Sequence, residues 1–342
     1  MMADNTGIEW TDATWNPTRG CSRVSEGCRF CYAERDGARF TKPGQPYHGF
    51  IDPERSGSKF TGRVELIEHM LDLPLRWKKP RRIFVNSMSD LFHEALPDEA
   101  IDRVFAVMAL CPQHTFQVLT KRPARMRQYL SMARAHPVGL AALDLTIQQL
   151  AKHPRSDTGN GIMLQGDIAH LKSWPLPNVW AGASVEDQPR ADERIPQLLA
   201  TRAAVHYISA EPLLGPIDLD RIDIDGHREV FPLIGTPECE DDDGNPMPDA
   251  PALDWVIAGG ESGPNARPMH PDWARALRDQ CQAAGVPFFF KQWGEYLPED
   301  EAFDRSLKVL ETGPPANGFS FRVGKKAAGY LLDGRTHQEF PR

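Results

Sequence analysis

Three cysteines stand close together near the start of the chain: Cys21, Cys28 and Cys31, spaced C-x6-C-x2-C. Gly20 and Gly27 lie among them, so the segment reads as one loop with three thiols on it. Three thiolates on such a loop can converge on a metal centre, and iron–sulfur clusters are held by cysteine thiolates. A cubane with only three protein ligands leaves one iron open. An open position is what separates a catalytic metal site from a closed structural one. S-adenosylmethionine can chelate such an iron through its amino and carboxylate groups, and one electron then breaks the sulfonium bond to yield an adenosyl radical. Two other chemistries fit the same residues. C-x2-C also occurs in zinc sites, where His48 could supply a fourth ligand, although no second C-x2-C or H-x3-H element accompanies it. A redox-active thiol pair is the other, and it would need a thioredoxin-like setting.

A loop of this kind needs a scaffold. Six short apolar runs recur, at 83–85, 116–119, 179–183, 205–208, 255–258 and 288–290, and each runs into polar or glycine-rich residues. Continuous apolar runs rich in β-branched and aromatic residues read as strands buried on both faces. Helical patterns lie between several of them. Pro97 opens one, with Ile101, Val104, Phe105 and Met108 on a single face. Pro271 opens another, with Trp273, Leu277 and Cys281 aligned, and Gly285 stops it. Segments 123–135 and 187–200 are further helices. Alternating strand and helix predicts a parallel sheet. Six or seven such units predict an α/β fold of the partial parallel (β/α)6-barrel type over residues 1–300. Two insertions, about 136–177 and 213–254, interrupt it, and a small C-terminal extension, 301–342, follows. In parallel barrels the site lies at the carboxyl ends of the strands, where these polar residues fall.

Charge adds a second layer. The formal net charge is −8 over 342 residues, so the chain as a whole does not read as a nucleic-acid binder. The distribution is uneven, with 20 Lys and Arg against 16 Asp and Glu in residues 1–135. Residues 213–254 carry 12 acidic residues and two arginines, and the run from Glu240 to Asp243 reads as an exposed loop. Lys121, Arg122, Arg125 and Arg127 follow a strand end, where basic residues could meet phosphate. The N-terminal residues are polar, and no apolar run is long enough to span a bilayer. The expectation is a cytoplasmic protein with no membrane segment, in a reducing compartment where clustered cysteines serve as ligands or catalytic thiols.

The residues also carry a resemblance. A three-cysteine loop ahead of a series of β/α units resembles the radical S-adenosylmethionine superfamily, whose C-x-aromatic-C ending is matched by Cys28-Arg29-Phe30-Cys31. More closely, Ile8–Pro17 with the cysteine loop, Asn86–His93, Gly259–Gly263 and Gly329–Pro341 are similar to a phage-associated family of three-cysteine-motif, radical-enzyme-like proteins of unassigned function. That similarity spans nearly the whole chain. The superfamily's usual first gap is three residues, and here it is six. The resemblance implies a [4Fe–4S] cluster on Cys21, Cys28 and Cys31, placed after the first strand, and S-adenosylmethionine at the strand ends. It puts Ser87, Ser89 and Asp90 near the methionyl amino end, and Lys121 opposite the carboxylate. It puts Ser184 and Glu186 at the ribose, and Phe30 and Tyr32 beside the adenine. The Lys121 and Ser184 placements resemble, more distantly, those of the spore photoproduct lyase family. Glu211, Glu261 and Lys291 would line the substrate side. The implied partners are a flavodoxin- or ferredoxin-like electron donor, a nucleic acid or nucleotide substrate, and a phage-encoded protein. The competing expectation is a non-enzymatic, zinc- or cluster-binding partner of another phage protein.

Overall fold

The computed structural model describes residues 6–54, 59–135, 174–224, 229–235, 239–240, 246–247, 251–301, 311–312 and 320–342. Most of the first expected insertion and parts of the second therefore lie outside the described residues, the Asp157–Gly161 stretch and the acidic run 241–243 included. Seven strands make one parallel sheet: β1 (Ala13–Trp15), β2 (Arg82–Val85), β3 (Thr115–Thr120), β4 (Val179–Ser184), β5 (Val205–Ala210), β6 (Trp255–Gly259) and β7 (Phe288–Gln292). Their order in the sheet is their order in the chain. Each step to a parallel neighbour needs a crossover, which is nearly always right-handed. When every step runs the same way, the winding is that of a barrel and not of a doubly wound sheet. The fold is thus α/β, with a topology compatible with a partial barrel.

The chain divides into two compact units. The first comprises Met1–Arg23, Ala33–Gly182 and Thr201–Ala204. In it β1 pairs with β2 (Ala13 opposite Ile83), and β2 with β3 (Ile83 opposite Phe116). Helix α1 (Tyr32–Gly37) begins at the unit boundary; α2 (Asp98–Ala109) and α3 (Pro123–Ala135) lie within the unit. The face of α2 expected from the sequence is the buried one: Ile101, Val104, Phe105 and Met108 are all in the core. Trp15 is fully buried and donates its indole N–H to the Met70 carbonyl at 2.7 Å, so the polar atom of this large core residue is satisfied.

The second unit comprises Val24–Tyr32, Ala183–Ala200 and Val205–Arg342. Here β6 lies between β5 and β7, with Trp255 opposite Tyr207 and Val256 opposite Phe288. Helix α4 (Gln188–Leu199) is capped by Asp187, whose side chain accepts from the Arg190 N–H at 3.0 Å. Helix α5 (Pro271–Ala284) stops at Gly285, which takes the left-handed conformation (φ 73°) that favours glycine. Beyond β7, Tyr296–Pro298, Ser320–Arg322 and Glu311–Thr312 form a small antiparallel sheet. The tail then returns along β7: Phe290 N–H donates to the His337 carbonyl at 2.8 Å, and Glu339 N–H to the Phe288 carbonyl at 3.2 Å. An uncovered edge strand is a template for unwanted pairing, and the tail removes it. Among the described residues, no helix is long and apolar enough to cross a membrane.

The six apolar runs all coincide with strands, and the four helical patterns with helices. The first strand was not legible as one. Ala13–Trp15 is three residues long, and polar or turn-forming neighbours hide it.

Four histidines are buried among the described residues, His93, His114, His206 and His337, and burial lowers the pKa of His93, His114 and His337. Each of these three therefore binds a proton more weakly folded than unfolded. Their contribution is intact above the unfolded value, about 6.5, and is lost as pH falls through the depressed folded values. The chain should withstand more urea at about pH 7.5 than at about pH 5.5, and His114→Phe should narrow that gap. Equal midpoints at the two pH values would show that the rings are not kept neutral.

Candidate functional site

In the first unit, the exits of β1, β2 and β3 are tied together by side chains. Asn86, at the end of β2, sits at φ 60° and accepts from the Thr18 N–H through its side-chain oxygen at 3.3 Å. Asparagine tolerates this left-handed conformation better than most residues. Asn16 accepts from the Ser87 hydroxyl at 3.2 Å and the Met88 N–H at 2.9 Å. Ser89 lies against Thr18, hydroxyl to hydroxyl at 2.9 Å. Asp90 is buried and accepts from four donors: the Phe92 N–H, the Thr120 hydroxyl, the Lys121 N–H and Arg122 Nη1, at 2.7 to 3.1 Å.

Arg122 carries these ties to the cysteine loop. Its guanidinium is buried and pairs with Asp90 at 3.0 Å and Glu94 at 2.9 Å. It donates to the Ser22 carbonyl at 3.1 Å and the Ser22 hydroxyl at 2.8 Å, and its Nη1 stands 3.9 Å from Cys21 Sγ. Burial opposes its charge, but Asp90, Cys21 and Glu94 outweigh burial and hold the group above its ordinary pKa. His93 bonds the same Ser22 hydroxyl through Nε2 at 2.9 Å. Burial first, and the Arg122 charge second, press its pKa down. Arg122 was expected among residues facing phosphate; it is instead an interior anchor, because Asp90 and Glu94 claim its charge. Arg125 is likewise paired, with Asp98.

The second unit holds the remainder of the loop. Residues Glu26–Cys28 form a 3-10 turn, in which Cys28 N–H donates to the Ser25 carbonyl at 3.0 Å. Glu186 is buried, pairs with the equally buried Arg194 at 3.2 Å, and accepts from the Ser25 hydroxyl at 3.1 Å. A Cβ at Gly27 would overlap the Glu186 carboxylate, so glycine lets the turn close on it. Arg194 also donates to the carbonyl of Ser184, itself buried, at 2.8 Å. Glu261 is buried and takes three bonds from Arg267, from its N–H, Nε and Nη2, at 2.7 to 2.8 Å. Arg267 also donates to the Glu26 carbonyl at 3.1 Å and lies over the Phe30 ring at 5.3 Å. Tyr32 is exposed. Glu211 pairs with Lys291 at 2.6 Å. The loops after β6 and β7 meet without room for side chains: a Cβ at Gly260 would strike the Trp293 carbonyl, and one at Gly294 the Glu261 carbonyl.

Cys21, Cys28 and Cys31 are thiols, with Cys28 buried and the other two partly exposed. Cys111 and Cys281 differ: both are core residues whose pKa burial pushes up to about 12, which makes them inert. Among the described residues, no three His, Cys, Asp or Glu side chains are gathered as ligands of one metal ion. A cubane makes a different demand. Its three thiolates bind separate irons and stand farther apart than the ligands of a single ion. In donor type the loop suits a cluster, with three thiols and a buried guanidinium 3.9 Å from Cys21 Sγ.

Reasoning from sequence missed Arg194 and Arg267, and it noticed Arg122 only as a phosphate contact. Each neutralises a carboxylate at a strand exit, and two of them follow their carboxylates within a few residues: Glu186 with Arg194, and Glu261 with Arg267. That spacing was the available signal. These observations define a class: an α/β protein with a sequential parallel sheet and a thiol loop pinned at its strand exits by arginine–carboxylate pairs. The chain matches, over residues 5–341, the family described as "Protein of unknown function (DUF5131)", and it belongs to that family. No curated protein and no solved structure matches it.

Replacing Arg122 by Met should strand Asp90 in the interior and cost about 3–5 kcal/mol of stability, measured by urea denaturation. The double change Arg122→Met with Asp90→Asn should cost less than the single one, since no buried charge is then left alone. In the second unit, Gly27→Ala should lower the melting temperature by forcing Glu186 off Arg194, an overpacking cost of about 1–3 kcal/mol. An unchanged melt would show that the carboxylate moves aside freely.

Proposed function

We propose that this protein is a radical S-adenosylmethionine enzyme whose [4Fe–4S] cluster is held by Cys21, Cys28 and Cys31. The observation that carries the reading is the position of the thiol loop: it follows the first strand of a sequential parallel sheet, and a buried guanidinium stands beside its first sulfur. When bound, the cluster supplies reductive cleavage of S-adenosylmethionine to a 5′-deoxyadenosyl radical, with the electron coming from a flavodoxin- or ferredoxin-like donor.

The chain's own residues then divide by task. Ser87, Ser89 and Lys121, at the exits of β2 and β3, serve the methionine moiety, with Lys121 as a point charge for its carboxylate. Asp90 acts as a positioning residue, because its bonds to Thr120, Lys121 and Arg122 fix the turn that presents them. Ser184 and Glu186 serve the ribose side. Glu186 does so as the support of the loop turn, through Ser25 and Arg194. Phe30 and Tyr32 border the adenine, with Phe30 held by Arg267. Glu211 and Lys291 face the substrate, and Glu261 serves that side as the carboxylate that holds Arg267. The excess of Lys and Arg over Asp and Glu in residues 1–135, 20 against 16, favours a nucleic acid or nucleotide as substrate, with a phage-encoded protein as a further partner.

The test is electron paramagnetic resonance of anaerobically reconstituted, dithionite-reduced protein, with metal analysis alongside. The expected result is a reduced cluster signal that changes on adding S-adenosylmethionine and is lost in Cys28→Ala. Tightly bound zinc without iron would overturn the reading and leave a metal-stabilised partner protein in its place.

A further inference from the structure

Among the carboxylates at the strand exits, Glu211 is unlike the others. Asp90 accepts from four protein donors, and Glu261 takes three bonds from Arg267. Glu186 is fully buried between Arg194 and Ser25. Glu211 has one partner among the described residues, Lys291 Nζ at 2.6 Å, and Lys291 has only Glu211. Both side chains keep some access to solvent, 16% for Glu211 and 13% for Lys291. An ammonium carries three donors and a carboxylate about four acceptor sites. One mutual bond leaves both groups with capacity to spare, and the spare donors and acceptors stand next to each other.

The backbone is bent to make this pair. Along β6 and β7, Ala258 faces Phe290, but Gly259 faces Gln292. Lys291 is therefore the extra residue of a β-bulge, a device that re-aims a side chain and recurs beside active sites. Between the two partner strands lies Gly259, where a Cβ would press on Glu211 Cγ at 3.3 Å. The missing side chain lets the carboxylate lie across β6. The Leu213 N–H, donating to the Gly259 carbonyl at 2.9 Å, fixes the turn that carries Glu211. Gln292, next to the bulge, is turned away to Gly260 and Ser262.

We infer that Glu211 and Lys291 form a recognition pair for the hydrogen-bonding edge of a nucleobase, one that shows an N–H beside a C=O. The carboxylate accepts the ring N–H, and the ammonium donates to the adjacent carbonyl. A trans peptide group does not fit, because its N–H and C=O point opposite ways. A lactam ring holds both on one edge, and enzymes that act on bases read that edge in this way. The inference names the substrate class for the proposed radical enzyme and rests on that reading for the reaction that follows, but binding itself needs only the pair.

The test is equilibrium dialysis and saturation-transfer nuclear magnetic resonance on the full chain, using uridine, N3-methyluridine and nicotinamide, with no cluster required. Uridine should bind, and N3-methyluridine, which has lost the ring N–H, should bind about tenfold more weakly or worse. Glu211→Gln and Lys291→Met should weaken uridine to a similar degree while leaving the circular dichroism spectrum unchanged. The comparison of the two nucleosides on the unaltered chain decides the matter even if a variant fails to fold. Equal binding of both nucleosides, nicotinamide binding as well as uridine, or no binding of uridine would each overturn the inference. Failure of cluster assembly would leave this result unaffected, so the two readings fall separately.

Discussion

A guanidinium placed inside a protein must be matched, and the matching of Arg122 organises the strand exits of the first unit. Desolvation would be prohibitive for a bare charge, and Asp90 answers it with its own buried carboxylate. Asp90 in turn draws in Thr120 and the Lys121 N–H, which joins the end of β2 to the end of β3. The donors of Arg122 not used on Asp90 and Glu94 point at Ser22. The cysteine loop thus inherits its place from a charge requirement deeper in the structure. The same charge stands beside Cys21, so one group both locates the loop and sets the field around its first sulfur.

The second unit repeats the principle with different pairs. Glu261 meets Arg267 through two guanidinium nitrogens, a planar fork that matches a carboxylate better than a lysine could, and Glu186 takes both its bonds from one nitrogen of Arg194. Buried pairs of this kind add little net stability over apolar packing; what they supply is a unique arrangement. Lysine appears where the pair is left partly exposed and partly unfilled, at Glu211 and Lys291. The choice of cation thus tracks the distinction between scaffold and contact surface.

The fold was largely legible in the sequence because its signals are local. An apolar run such as Phe288–Phe290, or the Pro271-to-Gly285 helix, carries its own evidence within a dozen residues. β1 was obscure because three residues give no periodicity. The thiol loop was legible from its spacing, and the residues from Ser87 to Lys291 were legible as the polar ends of apolar runs, with their roles supplied by the resemblance. Their partners were not. Arg122 answers Asp90 from 32 residues away, and only the parallel register of β2 and β3 brings the two together. The sequence likewise marks Gly259 as a glycine without saying that Glu211 will lie over it, since the bulge at Lys291 depends on pairing between strands.

The close approach of the loops after β6 and β7 limits how this protein can change. Gly260 packs on the Trp293 carbonyl and Gly294 on that of Glu261, each backbone occupying the space the other's side chain would need. Neither glycine can be exchanged while the other loop keeps its path. Each substitution that natural variation or a selection experiment samples there must await a compensating shift in the partner loop. New specificity on this side of the sheet is therefore most accessible through side chains such as Glu211 and Lys291, with the loops that surround them inherited as a single unit.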